Sequence, residues 1–401
     1  MEKEARVEAT QASRWTVGQV LRDGVGRMSV KASPQQWKVL RALQACRTGE
    51  LGGSLYQCEH CHHQHTVASG CGNRHCPECQ GRLARQWLKQ QQSRLLPVPY
   101  FHLVFTLPHA LNGLIRQNRK AMYELLLEAA SQTLLEFGRK RFGGELGLTM
   151  VLHTWGQSLE EHYHGHGIVT GGGWDPEGGW KGASSSSYLF PVRALSRVFR
   201  AKFCEGLQGL RRTHVLEYHG EQSLLMEEGK FQAVVREATR NPWVVYAKKP
   251  FSGPETVLKY LSNYTHRVGM SSRRIVHLDT VRHRVRFRYR DYADEGKIKE
   301  QTLDTGEFAR RFCLHVLPER FCKVRHYGIL ANRGRERRLE AVRRSVAESN
   351  AKSNCSPKVR TPPAEERQTN RLECPYCGSE RQRLVRVVRN RVGPKPSLDS
   401  S

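Results

Sequence analysis

An alternating run of histidines, His162-Tyr163-His164-Gly165-His166, is the segment that most restricts how this chain can fold. Successive side chains of a β-strand point to opposite faces, so the three histidines share one face if the run is extended. The apolar residues Ile168 and Val169 follow, which indicates that the run opens a buried strand. We therefore predict a buried strand over residues 162–170.

Neighbouring imidazoles on one face of a strand can chelate a divalent metal ion. His164 and His166 are the favoured pair because they adjoin the apolar part of the strand, whereas His162 lies at its start. A third ligand is expected from the neighbouring strand, where His153 and Gln157 are available. The alternative is a set of solvent-exposed histidines at a strand end. Imidazole suits Mn²⁺ or Zn²⁺, while phosphate chemistry also uses Mg²⁺, so the pattern leaves the ion open.

Apolar periodicity predicts two helices before residue 97 and alternating helices and strands across residues 100–330. The predicted strands are 100–107, 146–155 and 162–170, with a hairpin of 284–292 and 298–303; the predicted helices are 35–46, 81–96, 112–141, 193–210 and 255–268. A loop is predicted from the three glycines at 171–173 to residue 187. This arrangement predicts an α+β fold with a mainly antiparallel sheet.

Composition divides the chain into three predicted parts. Pro97 and Pro99 close an N-terminal domain of residues 1–99, and residues 100–330 form the main domain. Residues 331–401 carry 17 Lys and Arg against 8 acidic residues, with scattered proline and serine. We predict that this basic tail is largely disordered or folds on a partner.

Two Cys-x-x-Cys pairs, Cys58 with Cys61 and Cys76 with Cys79, lie fourteen residues apart. Two such pairs can complete the tetrahedral shell of a Zn²⁺ ion, and four protein ligands make such a site structural. Four buried free thiols are the alternative, and spare ligands are available in the same segment (Cys71, His65 and His75).

A third pair, Cys374 and Cys377, has no obvious partner pair in the sequence, although Cys355 could join it. Half a metal site is weak support, so we assign no role to this pair from the sequence.

The charge of the chain restricts its partners. Its 65 Lys and Arg against 38 Asp and Glu give a formal net charge of +27, which indicates a polyanion such as nucleic acid. A basic protein of the membrane surface would need an amphipathic anchor or a long apolar span, and the sequence shows neither. The N-terminus also lacks the apolar core of a signal peptide, so we expect a cytoplasmic protein.

Tyr260 and Tyr264 are one helical turn apart, so a helix would place both hydroxyls on one face. The flanking Lys259 and Arg267 suit a phosphodiester better than a protein core. A tyrosine hydroxyl has a pKa of about 10 and needs help to attack phosphorus, which a metal ion on the phosphate would supply. An aromatic stripe facing the core is the alternative interpretation of the pair.

These segments together resemble the rolling-circle transposases of the IS91 family, which are HUH (His-hydrophobic-His) endonucleases of the two-tyrosine type. The similar blocks cover most of the chain and comprise residues 74–79, 101–108, 153–157, 162–173, 260–267, 317–321 and 325–328. The sequence departs from the family pattern in two places. Gly165 stands where a bulky apolar residue is usual, so the metal frame could instead be His162-Tyr163-His164, and the pair at Cys374 has no counterpart that we can assign.

The resemblance implies an HUH-type antiparallel sheet with the histidines on a central strand, a tyrosine helix beside it and a small N-terminal zinc-binding domain. It implies that one tyrosine cuts single-stranded DNA at an insertion-sequence end, forming a 5′-phosphotyrosine and a free 3′-hydroxyl. The second tyrosine would serve strand transfer into target DNA. The implied cofactors are structural Zn²⁺ and catalytic Mg²⁺ or Mn²⁺, and the implied location is the bacterial cytoplasm, at the nucleoid. Basic residues would hold the DNA backbone (Arg82, Arg85, Lys259, Arg267, Arg273 and Arg274).

Three other functions remain open at this point. A plasmid rolling-circle replication initiator of the same superfamily would use the same residues. A transposase with a carboxylate triad would hydrolyse DNA without a covalent adduct, although the chain has only seven Asp residues. A non-catalytic zinc-dependent DNA-binding protein would explain the charge and the cysteines but not the histidines and tyrosines.

Overall fold

The computed structural model describes residues 15–183, 189–248, 251, 257, 265, 267–352 and 373–388. Their strands are β1 (Gly53–Cys58), β2 (Gln64–Ala68), β3 (Tyr100–Thr106), β4 (Glu145–Trp155), β5 (Glu161–Asp175), β6 (Gly179–Gly182), β7 (Val245–Lys248), β8 (Ile275–Asp279), β9 (Arg284–Asp291), β10 (Lys297–Asp304), β11 (Val324–Gly328) and β12 (Gln382–Val388). Their α-helices are α1 (Val17–Gly24), α2 (Pro34–Gln44), α3 (Pro77–Gln92), α4 (Asn112–Gln117), α5 (Arg119–Phe142), α6 (Val192–Arg212), α7 (Glu228–Thr239), α8 (Thr305–Leu314) and α9 (Arg335–Lys352).

The central sheet is antiparallel and has the strand order β11-β4-β5-β3-β7, with β6 added to the end of β5. The strand that carries the histidine run, β5, therefore lies in the middle. The predicted α+β class and the antiparallel sheet are confirmed, as are the predicted strands near 100, 146 and 162 and the hairpin of β9 and β10. The predicted helix 255–268 lies mainly outside the described residues.

One face of the sheet is covered by α5 and α6. Apolar side chains of these helices, such as Leu126 and Phe199, join Phe105, Tyr163 and Val169 of the sheet in the largest hydrophobic cluster. Helix α5 is capped by Gly143, which has a φ of 68° and whose N–H donates to the Arg139 carbonyl oxygen. The left-handed conformation favours glycine, so the turn fixes where β4 begins.

The predicted helix 112–141 is interrupted and forms two helices. The prediction of one continuous helix was therefore wrong. Asn118 separates α4 from α5 with non-helical backbone angles. Its Nδ2 donates to the carbonyl oxygens of Leu114 and Glu217, at 3.1 and 2.9 Å. Side-chain bonding of this kind competes with the helical pattern and ends it.

The predicted loop at 171–173 was also wrong, because these glycines continue β5 and pair with β6. A Cβ at Gly171 would lie 2.9 Å from the Phe101 ring, and one at Gly172 would lie 2.5 Å from the Trp180 ring. Glycine is therefore needed here for close packing and not for a turn.

A second sheet, β10-β9-β8, packs with α1, α2 and α8. Their cluster unites Val17, Leu21 and Leu40 from the N-terminal region with Phe287 and Phe308. Both N-terminal helices begin with a capping box, at Thr16 and Ser33, which satisfies free N–H groups of the first turn. The first helices thus pack with residues far beyond the predicted boundary at residue 99.

The tail is more ordered than predicted in two places. Helix α9 buries Leu339, Val342 and Val346 in a cluster on the other face of the central sheet, with Tyr100 and Ile168. Further on, β12 joins a third sheet of order β12-β1-β2. Apolar positions of α9 recur at helical spacing, and the high charge of the segment hid this pattern. Residues 353–372 and 389–401 lie outside the described residues.

Candidate functional site: a histidine centre and two cysteine clusters

Three histidines meet on one face of the central sheet. His153 of β4 pairs directly opposite His164 of β5, and His166 follows two residues along β5. Their ligand nitrogens all lie within 4.8 Å of one another. Ring centroids are separated by 4.5 Å between His153 and His166 and by 4.8 Å between His164 and His166. All three side chains are buried, so the geometry suits one shared ion and not three separate solvent contacts.

His162 does not belong to this group, although it lies on the same strand face. Its ring lies 4.8 Å from the ring of His164 and 5.8 Å from that of His109, at the more open end of the strand. Tyr163 points to the opposite face and donates a hydrogen bond of 2.6 Å to Glu161. The structure therefore brings together His153, His164 and His166, and His162 lies outside this group.

Hydrogen bonds orient two of the three rings. The Nδ1–H of His164 can donate to the His162 carbonyl oxygen at 2.9 Å, and Nδ1 of His166 lies 2.9 Å from Nε2 of His102. Each bond leaves the Nε2 atom of the ring to face the shared centre. Burial lowers the pKa of His164 to about 3, and burial followed by the neighbouring His153 lowers the pKa of His166 well below its usual range. Both imidazoles are consequently neutral, as a metal ligand must be.

Gly165 between the two ligands has a packing explanation. A Cβ at this position would face α5 and lie 3.4 Å from the methyl carbon of Met150 and 3.7 Å from Leu127. Met150 of β4 thus fills the space that a bulky residue at this position would take. The departure from the usual pattern leaves the histidine face unchanged.

The predicted nucleophiles Tyr260 and Tyr264 lie outside the described residues, as does Lys259. Residues on either side of them are described. Val257 is helical, fully buried and in the same cluster as Ile168, which shares the strand face of the histidines. After burial and the neighbouring histidines, the positive charge of Arg267 further lowers the pKa of His164 and His166. Both flanks of the tyrosine segment therefore lie on the histidine side of the sheet.

Eight of the described cysteines form two clusters, and neither cluster is the predicted set of Cys58, Cys61, Cys76 and Cys79. One cluster contains Cys46, Cys71, Cys76 and Cys79, and the other contains Cys58, Cys61, Cys374 and Cys377. Cys58 and Cys61 lie at the turn between β1 and β2, whereas Cys76 and Cys79 lie at the start of α3 and face the end of α2. The two predicted pairs therefore belong to different sites.

The first cluster is compact enough for a metal ion. The Sγ atom of Cys46 lies 3.7 Å from that of Cys79 and 3.5 Å from that of Cys76, and the Sγ atoms of Cys71 and Cys79 are 3.9 Å apart. A tetrahedral ion with Zn–S bonds of about 2.3 Å requires S···S separations of about 3.8 Å. The hydrogen bond with the Cys46 thiol is the first of the causes that hold the pKa of Cys79 well below its ordinary value.

Comparison with known proteins assigns the family. Residues 21–107 match a family described as a transposase zinc-binding domain, and residues 147–338 match a family described as a putative transposase. The chain is 38% identical over 374 residues, 92% of its own length and 94% of the relative's, to "Putative transposase y4qJ" of Sinorhizobium fredii. The chain is an IS91-family transposase.

A second relative of the transposase is the "Transposase for insertion sequence element IS801" of Pseudomonas savastanoi pv. phaseolicola. It is 30% identical over 293 residues, which cover 73% of this chain and 69% of the relative. No solved structure matches the transposase. Within the described residues, no helix is long and apolar enough to cross a membrane.

The predicted DNA-contacting arginines of the transposase fall into two groups. Arg82, Arg85 and Arg273 are exposed, and Arg267 is exposed beside the histidine centre. Arg274 differs, because its Nε donates to the Arg288 carbonyl oxygen at 2.7 Å and its guanidinium also donates to the Gln157 carbonyl oxygen. Burial lowers its pKa to about 10. Arg274 thus supports the turn after β4 and is poorly placed to hold DNA.

Arg267 of the transposase lines two adjoining depressions. One also contains Trp155, His315, Lys323 and Arg74, and Trp155 stacks on His153 with ring centroids 4.7 Å apart. Burial, together with the charge of Arg74, lowers the pKa of Lys323 to about 7. The other depression has a volume of about 240 Å³ and contains Gln80, Ser271 and Arg274, next to the start of α3. A positively charged surface thus connects the histidine centre with the first cysteine cluster.

Sequence reasoning missed His102 and Cys46 as members of these sites, and it named Cys71 only as a spare ligand. His102 is a polar residue in an otherwise apolar strand, and that contrast was the available signal. Cys71 precedes Cys76 by five residues, so the spacing could have suggested a shared site. Cys46 could not have been assigned from spacing alone, because α2 brings it there from a distant segment.

His102 is a positioning residue for His166, and its removal should weaken metal binding. We expect His102→Ala to raise the metal concentration that gives half-maximal binding by about 10–100-fold, because partners of metal ligands commonly contribute this much. Titration of the purified protein with Mn²⁺ would measure the change. His102→Gln keeps a hydrogen-bonding group and should recover part of the affinity. Equal affinity in all three proteins would contradict the assignment.

Arg82 and Arg85 should contribute to DNA affinity in a salt-dependent way. If each contacts one phosphate, Arg82→Ala/Arg85→Ala should make the slope of log affinity against log salt shallower by about 1.4 for single-stranded DNA. Fluorescence anisotropy at several salt concentrations would measure it. Arg274→Ala is the matched control: it should leave the slope unchanged and lower the free energy of unfolding by roughly 1–2 kcal/mol. An unchanged slope in the double variant would show that Arg82 and Arg85 lie on a solvated face of α3 and do not contact DNA.

Proposed function

We propose that this transposase cleaves and rejoins single-stranded DNA at the ends of an insertion sequence through a covalent bond to tyrosine. Tyr260 and Tyr264 are the nucleophiles, and His153, His164 and His166 hold the catalytic divalent ion. The family and the name of the relative from Pseudomonas support the substrate, since that relative is named for an insertion sequence. The HUH-type arrangement is part of the proposal and rests on the histidine strand at the centre of an antiparallel sheet.

One observation carries the proposal. The ligand nitrogens of three buried histidines lie within 4.8 Å of one another on the sheet face toward which both flanks of the tyrosine segment pack. Burying three neutral imidazoles beside a cation contributes little to the stability of the fold. The same trio is well suited to a divalent ion beside a negatively charged phosphate.

The chemistry is a transesterification. The oxygen of one tyrosine attacks the scissile phosphorus, the bond from phosphorus to the 3′-oxygen breaks, and the proton of the phenol is passed on while the 3′-oxygen leaves as a hydroxyl. The DNA 5′-phosphate remains on tyrosine, so the bond energy is preserved and no nucleotide cofactor is needed. In rejoining, a 3′-hydroxyl attacks the phosphotyrosine and regenerates the phenol. The second tyrosine allows another strand to be cut before the first is released.

His153, His164 and His166 would hold a divalent ion that imidazole suits, such as Mn²⁺ or Zn²⁺, and phosphate chemistry also uses Mg²⁺. Such an ion, when bound, polarises the phosphoryl group and neutralises charge that develops on it. The side chains of Arg267 and Lys323 face the same region and would bind the neighbouring phosphates. His102 keeps His166 in its orientation.

The N-terminal region is a zinc-binding domain, and we propose that Cys46, Cys71, Cys76 and Cys79 are its zinc ligands. Four sulfur ligands leave no open position, so this ion is structural. It fixes the start of α3 against the end of α2. The exposed face of α3, with Arg82 and Arg85, then lies beside the depression that Arg267 lines and can guide the DNA backbone to the histidine centre.

The test is a covalent adduct with a single-stranded oligonucleotide that contains an end of the element. We expect a slower-migrating protein band that keeps the label on the 3′ side of the cut, requires Mn²⁺ or Mg²⁺ and disappears with a chelator. The matching duplex should give little adduct. Hydrolysis without an adduct would favour a carboxylate mechanism, and binding without cleavage of any strand would favour a regulator. Cleavage only at a plasmid origin would favour a replication initiator.

A further inference from the structure

We infer that the transposase contains a second structural zinc site, in which the C-terminal pair Cys374 and Cys377 completes a tetrahedral shell with Cys58 and Cys61. The two matched family regions, 21–107 and 147–338, do not include the C-terminal pair. The site is assembled from residues more than 300 positions apart and is independent of the proposed DNA chemistry.

The sulfur atoms have the spacing of a metal shell. The Sγ atom of Cys58 lies 3.6 Å from that of Cys377, and the Sγ atom of Cys61 lies 3.6 Å from that of Cys374. All four lie within 4.8 Å of one another. Disulfide bonds would require S–S distances of about 2.05 Å, whereas a tetrahedral zinc ion requires about 3.8 Å between sulfurs. The distances agree with the ion.

The two pairs lie on matching turns. The Cys58 N–H donates to the His63 carbonyl oxygen, and the Cys374 N–H donates to the Ser379 carbonyl oxygen, both at 2.9 Å and both five residues along. In each turn the fourth residue after the first cysteine, His62 or Gly378, donates back to the cysteine carbonyl oxygen at about 3.0 Å. These two residues also share a left-handed backbone, with φ of 58° and 72°.

Such a turn presents two thiols to one point, and two copies facing each other form a complete tetrahedral site. A chance encounter of four cysteines would not explain why both backbones adopt the same hydrogen-bonded form.

Strand pairing places the two turns opposite each other. Strand β12 pairs with β1 along its length, so that Cys58 lies opposite Gln382 and the Glu59 N–H donates to the Arg381 carbonyl oxygen at 3.0 Å. The ring of Tyr376 stacks on that of His63, with centroids 5.4 Å apart. The register of the sheet therefore holds both cysteine turns at one end.

Apolar burial does not explain why β12 is attached. Six of its seven residues are exposed, and among the described residues no member of the three hydrophobic clusters comes from β1 or β12. Cys58 and Cys374, by contrast, are almost completely buried. Small sheets without a core usually depend on a metal ion or disulfides. The ion is therefore what ties the end of the chain to the N-terminal zinc-binding domain.

Zinc content of the full-length protein tests the inference. Cys374→Ser/Cys377→Ser and Cys58→Ser/Cys61→Ser should each contain one zinc ion fewer per chain than the parent, and the quadruple variant should also contain only one fewer. Cys204→Ser/Cys322→Ser is the matched control, because these cysteines lie in neither cluster, and it should keep the full content. A loss of two ions in the quadruple variant, or none with Cys374→Ser/Cys377→Ser, would overturn the shared site.

A second measurement separates metal loss from general unfolding. A specific protease site introduced into residues 353–372 of the full chain allows the C-terminal piece to be cut from the body. With zinc bound, the piece should remain attached through gel filtration, and a chelator should release it while the helical circular dichroism of the body remains. Retention of the piece after complete zinc removal would show that strand pairing alone holds it, which contradicts the inference.

Discussion

Replacing both Tyr260 and Tyr264 by phenylalanine should abolish the covalent DNA adduct. Phenylalanine keeps the ring but removes the oxygen that bonds to phosphorus, so the rate of adduct formation should fall at least about a thousandfold. Gel analysis with an oligonucleotide labelled on the 3′ side of the cut would measure it. DNA affinity should change little, because binding rests mainly on the basic residues.

The single variants should distinguish the first cleavage from the strand transfer that follows it. If one tyrosine makes the first cut, its phenylalanine variant loses the initial adduct, while the other variant forms the adduct but fails in the following strand transfer. Tyr292→Phe is the matched control, since Tyr292 is exposed in the turn between β9 and β10. Adduct formation that persists in the double variant would remove these tyrosines from the chemistry.

His166→Ala should be the most damaging substitution in the histidine centre. It removes a buried side chain that we propose as a metal ligand, together with the hydrogen bond to His102. Loss of the charge stabilisation by the ion is worth several kcal/mol, so cleavage should slow by roughly 10²–10³-fold at the metal concentration that saturates the parent. A time course of adduct formation at several Mn²⁺ concentrations would measure both the rate and the metal requirement.

Comparison with His162→Ala identifies the ligand frame. His162 lies beside the three-histidine group and not in it, so its variant should retain most of the cleavage rate. His219→Ala is an exposed control that should match the parent. Thermal unfolding should confirm that His166→Ala remains folded. A severe loss in His162→Ala with a mild loss in His166→Ala would shift the metal frame to His162-Tyr163-His164.

Local sequence patterns predicted the parts of the fold that depend on neighbouring residues. The alternation of His162, His164 and His166 predicted a strand and the face that carries these side chains, and apolar periodicity predicted β3, β4, β9, β10, α2, α3 and α6. A third ligand was expected from a neighbouring strand, and His153 of that strand lies opposite His164. These features could be predicted because strand geometry places alternate side chains on one face whatever the rest of the chain does.

Features that depend on distant contacts could not be predicted in the same way. The Cys-x-x-Cys spacing identifies a pair of thiols but not the partner pair, and here Cys58 and Cys61 meet Cys374 and Cys377 through the sheet of β1 and β12. The hydrogen bond from Asn118 that separates α4 from α5 depends on Glu217, a residue about a hundred positions away. Gly172 was predicted to lie in a loop, but it belongs to a strand and packs against the Trp180 ring.

Arg274 shows the same limit for charged residues. Its place in a basic segment suggested DNA binding, but its guanidinium donates to the carbonyl oxygens of Gln157 and Arg288. Charge in the sequence indicates the partner of the whole protein, whereas the role of one arginine depends on which carbonyl oxygens the fold brings to it.

The most direct measurement is mass spectrometry of the trapped adduct. Trypsin cuts after Lys259 and Arg267, so both tyrosines fall in the single peptide 260–267, which contains no other tyrosine. After nuclease treatment, we expect this peptide to carry the 5′-phosphorylated remnant of the DNA, on Tyr260 or Tyr264. A remnant on any other peptide, or cleaved DNA with a free 5′-phosphate and no modified peptide, would contradict the proposed mechanism.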